Sequence, residues 1–450
     1  MNRCFSLGVY PACLAFAYIA LLFGSLYLPC TVGAAPIAKQ VYTRTLATTA
    51  PLIHTIEQLP PVTLGQGDPL DVVTVMKAVL ASSPQVTLHQ EQQRESELKF
   101  HRVASKRLLF IFKYLNANYL EGAAFNDLQA NQALAKEAEQ RLVLETASTY
   151  YQWLNSYVGR LLHYQSIQQG LQQLQLNRNQ FETGEATSFD VLETEHQVLD
   201  RYRRYMAEEA QASVALQGLL SQLPPSEHPA SSVYYPAGLS QVPLPKVTQE
   251  GNHQQHLPKL IVLAPLDSLP NGWNEESVVQ LALTHRPSSQ EATYRVESLQ
   301  QLVKAASYDF DKRQGEFLKG SLKQLQLKQE IIQQSIRQEA RREWQLYTSY
   351  LQQHDVAKQQ LAIVQRFYQQ RLASQRAGVA NNNDVLQSQV LLTQAMLVHT
   401  HSQANLNLQL LKLRYITGTL LDYVRARPQA VDIVVTRSRM EEVQGKTNGF

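Results

Sequence analysis

FETGEATSFDVLETEHQVL, residues 181–199, decides how this chain is read, because AGVANNNDVLQSQV, residues 377–390, is assembled to the same plan. In each, a long polar-apolar run closes at a glycine, Gly184 or Gly378. Five residues follow, and an Asp-Val-Leu triplet beginning at Asp190 or Asp384 starts the next run. Glycine at a helix end adopts positive φ without the clash a Cβ would bring. A five-residue connection suits two antiparallel helices. Asp190 and Asp384 are predicted to cap the returning helices. Glu193 and Gln387, three residues on, are placed to reach back and complete two capping boxes. Each stretch therefore reads as the tip of a helical hairpin.

Working outward, both tips sit in proline-free runs, residues 85–223 and 288–427, rich in Gln, Leu, Ala, Glu, Lys and Arg. These residues favour helix, and the absence of proline lets the helix continue. Apolar residues recur at helical spacing: Leu361, Val364, Tyr368 and Leu372 before the second tip, and Leu386, Val390 and Leu397 after it. An unbroken helix from Asn126 to Thr183 would be roughly 87 Å long at 1.5 Å per residue. A helix of that length buries its stripe by coiled-coil packing. The openings of the two halves also correspond, Val72-Val73 with Val278-Val279 and Pro84 with Pro287. The expected fold is thus mainly α, with long antiparallel hairpins of coiled-coil α-barrel type built as an internal tandem duplication.

The predicted divisions are a signal peptide over 1–34, an extended arm over 35–70, a first helical repeat over 71–222, a Pro-rich linker over 223–272, a second repeat over 273–418 and a tail over 419–450. Arg3, the apolar run Leu14–Leu28 and the small residues Val32-Gly33-Ala34 form the secretory pattern, with an uncleaved anchor as the other reading. Pro29 stands before Cys30, where a lipoprotein signal would carry a small residue. All three cysteines lie at or before residue 30, so the mature chain has no thiol chemistry. Asp71 opens a first helix interrupted near Pro84, and Val431–Val435 reads as a strand in the tail.

A net charge of +3 over 450 residues, with acids and bases interleaved, gives no electrostatic case for nucleic acid. His399 and His401 are two apart and fall on different sides of a helix, and His253 and His256 lie in the linker without a carboxylate cluster. No phosphate loop or nucleophile elbow occurs, so no cofactor, metal or enzymatic activity is expected. The aromatic groups Tyr150, Tyr151, Trp153 and Tyr157, and Trp344, Tyr347 and Tyr350, read as coiled-coil core rather than a membrane belt.

The segment EESVVQLALTHRPSSQEATYRVESLQQLVKAA, residues 275–306, and the paired tips Gly184 with Asp190-Val191-Leu192 and Gly378 with Asp384-Val385-Leu386, resemble the TolC-like outer membrane efflux protein family over about residues 70–420. The resemblance implies a passive homotrimeric periplasmic duct, in the outer membrane or periplasm, exporting small molecules or proteins. It would be fed by an inner-membrane pump through a periplasmic adaptor. It also places the tips at a pore entrance, where rings of carboxylates favour cations. On that alignment a second ring carboxylate would fall at Gln387, and the tyrosine and arginine that help close the family's entrance would fall at Gln375 and Ala380.

The family's barrel needs two strands of about 9 to 11 residues from each half, inserted between two helices. Leu108–Leu120 lacks clean alternation and Tyr308–Asp311 is too short, so the barrel is expected to be absent or vestigial. An open strand leaves backbone groups unsatisfied in lipid. The rival expectation is therefore a non-conducting periplasmic coiled-coil scaffold or adaptor.

Overall fold

The computed structural model describes residues 50–62, 68–109, 117–223, 234–243, 259–266, 269–270, 272–307, 312–380 and 382–427. The expected signal segment, residues 110–116 of the first strand candidate, Tyr308–Asp311 and the tail strand lie outside them. The chain divides into two compact units, Met1–Leu59 with Leu174–His196, and Pro60–Gln173 with Gln197–Phe450.

The described part of the first unit holds a short helix, α1, over residues 50–57, and the first hairpin tip. Ile53 and Ile56, one helical turn apart, are the buried side of α1.

In the second unit each half opens in the same way. α2 (Val72–Ser82) is capped by Asp71, whose Oδ2 accepts from Val73 N at 3.0 Å and Thr74 N at 3.2 Å. α3 (Pro84–Leu109) follows after a break at Ser83. In the second half α6 (Glu275–His285) starts in a full capping box between Asn274 and Ser277, and α7 (Pro287–Ala306) follows after a break at Arg286. Ser83 and Arg286 have ψ of 126° and 127°. A residue before proline is driven out of the α region, which is why both breaks fall there.

Two very long helices come next: α4 (Ala117–Thr183), 67 residues, returned by α5 (Ser188–Leu220), and α8 (Lys312–Arg376), 65 residues, returned by α9 (Asn382–Ile416). α4 begins nine residues before the Asn126 expected from sequence and carries Gly122 within the helix. α3 runs beside the start of α4, with Asn131 Nδ2 donating to Ser96 Oγ at 2.8 Å and the rings of Phe100 and Phe125 edge to face at 5.9 Å. α9 packs along α8, as do α6 and α7. A final short helix, α10 (Leu420–Ala426), packs on α2.

The described residues of the Pro-rich linker include three short strands. β1 (Asp68–Leu70) pairs in parallel with β2 (Tyr234–Pro236), and β3 (Leu239–Pro243) pairs antiparallel with β4 (Lys259–Leu263). The Leu70 carbonyl accepts from Ala237 N at 2.8 Å and from the Tyr150 hydroxyl at 2.9 Å. The N-terminal arm, the linker and α4 thus meet on one oxygen.

The main core gathers Met76, Trp153, Leu161, Ile261, Leu411 and Leu421, from both halves and from the linker. Tyr150 and Trp153 are fully buried in it, so that aromatic group is packing, not a lipid-facing belt. A second cluster joins Val278 and Ala282 of α6 to Ile336 and Ala340 of α8 and Leu413 of α9.

Among the described residues no helix is long and apolar enough to cross a membrane. The positions where barrel strands would leave the helices are tightly bounded: only residues 110–116 separate α3 from α4, and only 307–311 separate α7 from α8. Neither interval reaches the length of one spanning strand, about 9 to 11 residues, let alone two and a turn.

Candidate functional site

The candidate sites are the two hairpin tips, each taken by itself, and their backbones are copies. At the first, Gly184 has φ 81°, its N–H donates to Phe181 O, and Glu185 N donates to Gln180 O at 2.7 Å. At the second, Gly378 has φ 74°, its N–H donates to Gln375 O, and Val379 N donates to Ser374 O at 2.9 Å. These paired bonds form the Schellman motif, which satisfies the last helical carbonyls and needs a left-handed residue. No heavy atom lies within 4 Å of a Cβ built on either glycine, so their requirement is conformational only.

The capping assignment from sequence is corrected by one turn. α5 begins at Ser188, so Thr187 is the cap and Asp190 stands three residues in. The Asp190 carboxylate accepts from Thr187 N at 2.8 Å and from Thr187 Oγ1 at 2.7 Å, and Thr187 Oγ1 accepts from Asp190 N at 3.3 Å. The box is real, with Asp190 in the role expected of Glu193. These two bonds hold the Asp190 carboxyl below its ordinary range. The signal was present in the sequence as Thr-x-x-Asp, the capping-box spacing read from 187 instead of 190.

Side chains behind the first tip were not legible as a site. Asn177 Nδ2 on α4 donates to Thr194 Oγ1 on α5 at 2.7 Å, and Thr194 Oγ1 donates to Asp190 O at 2.8 Å. Arg178 Nη2 meets Glu195 Oε1 at 2.8 Å, with the Glu195 side chain 3% exposed. At the second tip the corresponding residues are Arg371, Leu372, Ser388 and Gln389. Arg371 lies 4.0 Å from Asp384 and stacks over Phe367 at 5.2 Å, while Tyr368, Leu372 and Leu392 fill the interior. Gln387 is exposed and Glu193 is partly buried. Gly184, Asp190 and Glu193 belong to the first unit; Gly378, Asp384 and Gln387 belong to the second. The turns also expose apolar residues, Phe189 at 70% and Val379 at 83%. Among the described residues no group of three His, Cys, Asp or Glu side chains is placed to hold a metal.

No family model matches the sequence, and no curated protein matches it. Solved structures do. The outer-membrane channel OprN superposes with a TM-score of 0.59 at 12% identity, over 77% of this chain and 90% of that one. The chain has the fold of the TolC-like outer-membrane channels. The CmeC outer membrane channel of Campylobacter jejuni (TM-score 0.57, 10% identity, 78% and 86% covered) is also similar. So is the open state of the Neisseria gonorrhoeae MtrE outer membrane channel (TM-score 0.57, 11% identity, 80% and 94% covered). At such identities the shared property of the TolC-like fold is its backbone, and the side chains at these tips are this protein's own.

Proposed function

We propose that this protein is a periplasmic scaffold of the bacterial envelope. In this reading a TolC-like helical body associates through its exposed helix faces and hairpin tips with copies of itself and with adaptor or pump proteins. It catalyses nothing and does not span the outer membrane. The observation that supports it most is the shortness of 110–116 and 307–311. Each half lacks the chain length to send even one strand across lipid at those points. Association is supported by α8, where Val356, Ile363 and Phe367 recur at coiled-coil spacing and remain exposed. An exposed seam of that kind is completed by other helices, and three copies would close a tube.

The reading as a passive export duct draws on the duplicated tips and that same seam. Envelope fractionation with planar-bilayer recording separates the two. The scaffold reading expects recovery in the soluble periplasmic fraction and no conductance steps. A detergent-resistant trimer in the outer-membrane fraction that conducts would overturn it. In that case Asp384→Lys should shift the reversal potential if the second tip lines the pore.

A further inference from the structure

Away from the tips, α4, α5 and α9 leave an open groove of about 600 Å³, all within the second unit. α5 supplies Glu208, Gln211, Val214 and Ala215, α4 supplies Asn155 and Ser156, and α9 supplies His401. Glu208 is the charged group on its wall. Its carboxyl lies against bare backbone, because a Cβ built at Gly159 would stand 2.8 Å from Glu208 Cδ. Among the described residues no Lys, Arg or His pairs with it; the Ser156 hydroxyl is shared between it and Gln211 Oε1, 3.5 Å away. The adjacent Glu209 instead faces Arg160 at 3.9 Å.

Two further acceptors line the groove. Asn155 Oδ1 and His401 Nε2 are buried without a hydrogen-bond partner. The Asn155 backbone carbonyl, which can only accept, favours the proton on the other ring nitrogen, leaving Nε2 as a lone pair. Burial also pulls the His401 pKa down, so the ring is neutral, and burial pushes the Glu208 carboxyl up. A carboxylate, an amide oxygen and an imidazole lone pair thus line one groove with no cationic side chain among its walls, where the donors are the neutral amides of Gln152 and Gln211 and the Ser156 hydroxyl. Buried acceptors left unmade are costly, and a cationic donor entering the groove offsets that cost. Val214 and Ala215 give the groove an apolar wall.

We propose that this groove binds a small amphipathic primary amine, its ammonium on Glu208 and its apolar part against Val214 and Ala215. The size of the groove is that of a small-molecule site. The inference stands whether or not the protein conducts.

Isothermal titration of the full mature chain tests it, with 4-phenylbutylamine as probe and 4-phenylbutanol as its uncharged counterpart. The amine should bind at least tenfold more tightly than the alcohol, and Glu208→Gln should erase that preference. Gln211→Lys places an ammonium one turn from Glu208 on the exposed face of α5, an arrangement that supports the helix. It should abolish amine binding while helicity by circular dichroism is unchanged. Equal binding of both probes, no binding of either, or a preference that survives Glu208→Gln would each overturn the proposal. So would self-association through the groove, lost in Gln211→Lys, in a chain that binds no amine.

Discussion

Replacing Arg286 with methionine should cost about 3 to 5 kcal/mol of folding stability, the range for deleting one partner of a buried ion pair. Arg286 is 8% exposed, and its guanidinium serves helices distant in sequence. Its Nη1 donates to Glu339 Oε2 on α8 at 2.5 Å, its Nη2 lies 3.6 Å from Glu137 Oε1 on α4, and it sits over the Tyr415 ring of α9 at 5.3 Å. At an effective dielectric near 20, the contact at 3.6 Å is worth roughly 5 kcal/mol before desolvation is subtracted. Without Arg286, Glu339 and Glu137 face one another at 31% and 18% exposure. Glu137 keeps the Tyr415 hydroxyl at 2.7 Å and Ser288 N at 3.3 Å, so the penalty falls mainly on Glu339. Methionine retains the packing of the stem, which isolates the charge. Urea unfolding followed at 222 nm measures the cost. The double-mutant cycle with Glu339→Gln should return a coupling of about 1.5 kcal/mol or more. A loss below about 1 kcal/mol, with no coupling, would show that these helices are held by their apolar contacts alone.

Arg201 should behave in the opposite sense: it is 6% exposed, its Nη1 donates to Ser166 O at 2.8 Å, and its Nη2 has no partner. Arg201→Met should therefore leave urea stability unchanged or raise it by about 1 to 3 kcal/mol, and a clear loss would mean the cation is structurally required. His163 has its pKa pulled down to about 4, first by burial and then by Arg204, with Arg201 acting the same way and Asp200 against them. The unfolded ring binds its proton near 6.5, so stability should fall as pH drops from about 6.5 towards 4, by up to about 1 kcal/mol per pH unit after allowance for solvent screening. His163→Gln should flatten the melting temperature against pH in that window, and an unaltered slope would remove His163 as its source. Gly418→Ala would bring a Cβ to 2.3 Å from the His285 carbonyl, whereas a Cβ at Gly184 meets nothing within 4 Å. Thermal melts should show the Gly184 change costing about 1 kcal/mol and the Gly418 change several times that; equal losses would refute the steric account.

How much was readable from sequence follows from how local each instruction is. The hairpins were readable because proline, glycine and helical periodicity act within a few residues. The cap was misplaced by one turn because Thr187-x-x-Asp190 and Asp190-x-x-Glu193 both fit the same spacing, and only the start of α5 at Ser188 chooses between them. The strands of the linker were not readable: β2 is three residues long and its partner β1 lies in the N-terminal arm. Nor was Arg286, since an arginine before a proline reads as solvent-facing until Glu137 and Glu339 are brought to it from other helices.

The two tips show why a duplicated backbone need not carry a duplicated site. The turn is dictated by a left-handed glycine and a pair of main-chain bonds, which tolerate any side chains around them, and both copies keep it. The contacts behind the turn are free to diverge once the turn is secure. In the first copy they became Asn177 with Thr194 and Arg178 with Glu195, polar pairs largely out of water in which each partner is needed by the other. In the second the interior is Tyr368, Leu372 and Leu392, and the ion pair Arg371–Asp384 stands in solvent at 4.0 Å, where such pairs contribute at most about 1 kcal/mol. Asp190 Oδ2 accepts both bonds from Thr187, while the Asp384 side chain is 38% exposed beside Arg371. A partner that recognises the Arg371–Asp384 pair would read the second tip at low ionic strength and lose it as salt rises. One that recognises shape would meet the first tip unchanged, because its polar pairs are shielded from the ions that screen the second.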